Sequence, residues 1–139
     1  MMPSMAHFAL RFRCLTLLRA SLVAGALYDA AFAVLMVAAP RVPARTLALP
    51  LPPLPAGTFY LWILAILLLM LALLYGLAAR DTRRYSGIVA VAIGGRIAGG
   101  VALLLAVRLA PGLAGLYPLA AVDLGLGLVH AALWWPARA

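Results

Sequence analysis

Residues 89–107 read VAVAIGGRIAGGVALLLAV, and Arg96 is their single polar side chain. A run this long and this apolar reads as a helix crossing a bilayer, which takes about 20 residues. A guanidinium at its centre costs roughly 3 kcal/mol or more to insert. Other parts of the chain must therefore hold Arg96 in place.

Working outward, three more segments have the length and apolarity of a span. The expected spans are residues 20–39, 59–79, 87–109 and 115–135. They predict an all-α fold, an integral membrane bundle of four transmembrane helices forming one domain over residues 1–139. Composition agrees: 68% of the 139 residues are hydrophobic, and the mean hydropathy of +1.14 lies far above that of soluble domains. Lys, Glu, Asn and Gln are absent, and the only acids are Asp29, Asp81 and Asp123.

A net charge of +8 on a soluble face would point to nucleic acid. Here the arginines flank apolar runs and no recognition motif accompanies them, so nucleic acid is not an expected partner. Seven of them (Arg11, Arg13, Arg19, Arg80, Arg83, Arg84 and Arg138) share one side of the predicted bundle. Arg41, Arg45 and Arg108 share the other. The positive-inside rule then puts both termini in the cytoplasm, and the expected location is a bacterial inner membrane, with the lipid bilayer as the first partner. Aromatic residues fit the same limits, with Phe59, Tyr60, Trp62 and Tyr117 at the outer boundary and Tyr85, Trp134 and Trp135 at the inner one.

The N-terminal region has two readings. Residues 1–18 form either an amphipathic helix lying on the membrane or a plain extension of the first span. Arg19 and Asp29 interrupt what would be a signal-peptide core before Ala31-Phe32-Ala33, so the first span is read as retained. Residues 40–58 carry six of the ten prolines and form the expected outer loop, a stiff cap over the helix ends or a contact for a partner. Pro40 and Pro136 are expected to follow the first and last spans. Cys14 stands alone and has no intrachain disulfide partner.

Counting from the middle of each span at 1.5 Å per residue, Asp29, Arg96 and Asp123 fall at one level. The three charges are expected to satisfy one another inside the bundle. Tyr28 and His130 join the predicted polar cluster, because Asp123, Gly127, His130 and Trp134 share a helix face. His130 is expected to hydrogen-bond across helices, to Tyr75 or Tyr28. Small residues allow close helix approach, which marks Gly25, Gly95, Gly99 and Gly127 as packing positions. The second span has almost no polar side chain and is expected to shield the bundle from lipid. Two carboxylates against one guanidinium leave an extra negative charge, to be balanced by a proton, a charged His130 or a bound ligand.

No catalytic motif is present. The glycines around Arg96 lie within a span and form no phosphate loop, and no nucleophile stands at a recognisable spacing from a base. A lone intramembrane histidine supplies too few donors for haem or a metal cage. The sequence implies no cofactor and no metal site.

The layout resembles the DoxX-like group of small four-helix bacterial membrane proteins. The likeness lies in an arginine opening the first span in LRASLVAGALYDAAF, a proline-rich outer loop, the basic turn ARDTRR and a glycine-rich third span. The resemblance implies association with membrane redox or respiratory enzymes as a small subunit, and it implies no catalytic residue. Three functions are expected in this order. The first is a non-catalytic subunit or scaffold of a larger inner-membrane respiratory, redox or photosynthetic complex, with other membrane subunits or further copies of the chain as partners. The second is a binding protein or enzyme for an apolar small molecule such as a quinone or lipid. The third is a small oligomeric proton-coupled transporter.

Overall fold

The computed structural model describes residues 5–50 and 56–138. It consists of helices α1 (Met5–Ala38), α2 (Arg41–Thr46), α3 (Ala56–Arg80), α4 (Ser86–Leu109) and α5 (Tyr117–Arg138), with a 3-10 segment, Pro111–Leu116, leading into α5. No strand occurs among the described residues. Four helical stretches are long and apolar enough to cross a membrane: Ala9–Ala38, Thr58–Arg80, Ser86–Leu109 and Pro111–Arg138.

Two helix pairs make the bundle. The most extensive packing is α1 on α3 and α4 on α5, and the pairs meet mainly along α1 and α5. Helices α3 and α4 touch only sparsely. The inward stripe of α1 is Leu18, Leu22, Gly25, Asp29 and Ala33, spaced by three or four residues as one helical face requires. Ala65, Ala72, Tyr75 and Ala78 form that stripe on α3, and Ala120, Gly127, His130 and Ala137 on α5. Small residues dominate these stripes because helices surrounded by lipid associate through close van der Waals fit.

On α4 the inward stripe is Val89, Ala92, Arg96, Gly100 and Val107. The expectation for Gly95 is therefore corrected. It lies about 100° around the helix from Arg96, on the exposed side, and a Cβ there would meet nothing within 4 Å. Gly100 takes the packing role, since a Cβ on it would overlap the Leu124 side chain and crowd the Ala120 carbonyl. Across the same seam a Cβ on Gly127 would stand 2.9 Å from Ile97 Cγ1 and 3.2 Å from Arg96 Cβ.

Several boundaries move. The first helix is continuous over 34 residues, so the plain extension of the first span is the form adopted. The last helix runs through Pro136 to Arg138. Proline's fixed φ is helical, and a final turn loses one hydrogen bond by carrying it. The outer loop contains a helix that the sequence reading overlooked. In α2, Pro43 occupies the first turn, where a missing N–H has no acceptor to lose.

Helix α2 ends in a Schellman motif. Leu49 N–H donates to the Ala44 carbonyl at 2.8 Å and Ala48 N–H to the Arg45 carbonyl at 3.2 Å, which needs a left-handed residue between them, supplied by Ala48 at φ 49°. Gly115 of the 3-10 segment lies directly against the Leu47 backbone, leaving no room for a Cβ. This contact ties the cap to α5. The apolar stretch at residues 51–54 falls outside the described residues.

Candidate functional site: a buried ion triad beneath an apolar cavity

Three helices bring their charges to one point. Arg96 Nη2 donates to Asp29 Oδ2 at 2.7 Å and Nη1 donates to Asp123 Oδ1 at 2.5 Å. The guanidinium therefore bridges α1 and α5 from α4. Its Nη2 also donates to the Gly25 carbonyl at 3.3 Å, and a Cβ on Gly25 would stand in ordinary van der Waals contact with Arg96, Tyr75 and His130. Gly99 lies beside Asp123, whose Oδ2 would be 3.5 Å from an added Cβ, also an ordinary contact.

Aromatic rings line the guanidinium. Its carbon lies 5.5 Å from the Tyr28 ring centre and 5.3 Å from that of Tyr75, both within cation–π reach. Tyr28 stacks in turn on Phe32. The contact from Tyr75 gives α3 a part in the site that its apolar sequence concealed; the residue was legible only as a candidate partner for His130. Each of the other three long helices therefore touches Arg96.

Burial is uneven across the triad. Asp29 is 0% exposed and Arg96 6%, whereas the Asp123 side chain is 20% exposed. Asp29 Oδ1 and Arg96 Nε are buried without a hydrogen-bond partner among the described residues. Such groups cost about 1–3 kcal/mol when nothing satisfies them.

His130 is fully buried on the same face of α5 as Asp123. Its ring meets Tyr75 edge-on at 6.4 Å. The expected hydrogen bond to Tyr75 or Tyr28 is absent, and neither ring nitrogen has a partner at hydrogen-bonding geometry among the described residues. His130 thus belongs to the apolar packing below the triad and does not join its hydrogen bonds.

Above the triad the bundle is hollow. A cavity of about 560 Å³ extends from Asp29, Arg96 and Asp123 towards the end where α2 lies. Phe32 and Met36 of α1, Leu61, Leu64 and Leu68 of α3, Ala102 and Leu103 of α4, and Leu119 of α5 form its walls. Pro43, Ala44, Leu47 and Leu49 close over it. No periodicity in the sequence marks this internal space.

The arrangement can hold a mostly apolar molecule by its sides and a polar end at its base. Each Nη atom donates to a carboxylate, and Asp123 Oδ2, on the partly exposed carboxyl, is an acceptor left open at the base. That acceptor suits a donor such as a hydroxyl or an ammonium group. No group of three or more His, Cys, Asp or Glu able to hold a metal is gathered among the described residues. Compared with models of known families, with curated proteins and with solved structures, this chain matches none.

Proposed function

We propose that this protein is a membrane-embedded binding protein for an apolar small molecule with a hydrogen-bond-donating end. The observation that carries the reading is the apolar cavity of about 560 Å³ with the Asp29–Arg96–Asp123 triad as its base. Ligand sites are mostly apolar pockets with a few fixed polar groups that set orientation, and this cavity has that composition. A ligand's hydroxyl at the base would satisfy an acceptor that the fold leaves open, while its chain or ring system fills the space towards α2.

Seven arginines at one end of the bundle and three at the other support an orientation with both termini in the cytoplasm, and a bacterial inner membrane is the location proposed. The cavity then opens in the outer half of the membrane. The proposed resemblance to DoxX-like proteins would set such a ligand among membrane redox enzymes, with the chain as an accessory subunit.

Purification in mild detergent followed by native mass spectrometry tests the reading, because it reports retained ligands and companion proteins together. A small molecule should accompany the wild type. Ala102→Phe, which projects a ring into the cavity from an exposed position outside the packed seam, should abolish retention while leaving helix content unchanged. Large companion subunits with an empty cavity would favour a scaffold instead. Equal retention by wild type and Ala102→Phe would remove the cavity from the function.

A further inference from the structure

We propose a second binding site, for the phosphate group of an anionic ligand, at the arginine-rich end of the bundle. A separate pocket of about 610 Å³ lies there, bordered by Arg11 of α1, Thr82 and Arg83 of the turn between α3 and α4, Ser86 at the start of α4, and Arg138 of α5. The arginines come from three separate elements and converge on one space.

Two features distinguish this pocket from a diffusely basic surface. Thr82 is 3% exposed, and its hydroxyl is buried without a hydrogen-bond partner among the described residues while lining the pocket. A buried hydroxyl with no partner in the fold is costly, and an acceptor oxygen in the pocket would satisfy it. None of Arg11, Arg83 and Arg138 is in an ion pair among the described residues. The one acid of the turn, Asp81, is committed elsewhere, its Oδ1 accepting the backbone N–H groups of Arg83 and Arg84.

Phosphate oxygens accept from guanidinium and hydroxyl donors, and guanidinium forks match them bidentately. The start of α4 adds the positive end of a 24-residue helix. Leu15, Leu18 and Trp134 form the apolar side of the pocket, and Arg138 is fixed over the Trp135 ring at 3.7 Å. An apolar flank beside a cationic one suits a lipid phosphodiester at the membrane surface. The same donors would also take free phosphate.

Titrating detergent-solubilised protein with phosphatidylglycerol, with phosphatidylcholine and separately with inorganic phosphate, read by native mass spectrometry and thermal unfolding, distinguishes these sources. Phosphatidylglycerol should bind more tightly than phosphatidylcholine, with Arg83→Gln weakening it about fivefold and Thr82→Val weakening it as well. Arg84→Gln is the matched control: it removes the same charge from the same turn, but Arg84 leans on Tyr85 and does not line the pocket. It should change binding little. Displacement of the lipid by inorganic phosphate, with a matching rise in unfolding temperature, would identify free phosphate as the ligand of the same site. Equal losses from Arg83→Gln and Arg84→Gln, or equal binding of the two lipids with no effect of phosphate, would overturn the proposal. Arg138→Gln gives a second reading of the site from a different helix.

Discussion

The two halves of the bundle are built on opposite plans. Between the triad and the arginine-lined pocket the interior is filled, with Leu18, Leu22, Tyr75, Ala78, Val89 and Ala92 packed as one cluster and Leu133 and Trp134 against it. Towards α2 the same four helices enclose the cavity over Asp29, Arg96 and Asp123. The triad sits at the boundary. Its position gives the charges two environments at once, a dry floor below and open space above. The contrast teaches that a buried ion network can act as the bottom of a vessel as well as a tie between helices.

The sharpest way to break this comparison uses the triad itself. Arg96→Leu strands two carboxylates and should cost about 3–5 kcal/mol, measured by thermal unfolding in detergent. The double changes should then differ. Arg96→Leu with Asp29→Leu leaves Asp123, which borders the cavity and can be hydrated from it; much of the loss should return. Arg96→Leu with Asp123→Leu leaves Asp29, the fully buried member, and should recover less. Equal stability of the two doubles would show that the halves do not differ in access to water.

Size substitutions probe the same boundary with a smaller effect. Ala92→Phe in the filled half should destabilise by about 1–3 kcal/mol through overpacking, whereas Ala102→Phe in the hollow half should change unfolding by about 0.5 kcal/mol or less. Similar losses at both positions would mean that the cavity is no roomier than the core.

Glycine substitutions sharpen the picture along the seam between α4 and α5. Gly127→Ala should cost about 1–2 kcal/mol, because its Cβ would crowd Ile97 and Arg96. Gly95→Ala faces open space and should stabilise the helix by roughly 0.5 kcal/mol or more. A further small effect is expected in the cap. Ala48→Gly relieves a left-handed alanine and should stabilise the end of α2 by about 1 kcal/mol at most, raising the unfolding temperature slightly.

Those predictions also mark where sequence reasoning succeeds and where it stops. The four long helices and the level of Asp29, Arg96 and Asp123 were legible because apolar length and depth along a helix follow directly from spacing. Gly25, Gly99 and Gly127 were legible as small residues beside charges. Gly95 and Gly100 were not separable, since both lie near Arg96 and only the position of α5 decides which one is covered. The end of α2 was hidden for a different reason: Ala48 occupies a position where glycine is the usual signal. The cavity escaped because a void is the volume that side chains from several segments together fail to fill, and no local pattern encodes it.

The sparse contact between α3 and α4 has a consequence for concentration. Leu64 and Leu68 on one side of that seam and Ala102 and Leu103 on the other both border the cavity, so with the four helices spanning a bilayer as proposed, the thinnest wall of the vessel would face the acyl chains. A ligand of the proposed kind arriving there is drawn from the leaflet, where partitioning has already enriched it. Each methylene adds about 0.8 kcal/mol to that partitioning, close to a fourfold increase in local abundance. Occupancy would then follow the mole fraction of the compound in the bilayer, and its aqueous level would matter only through that fraction.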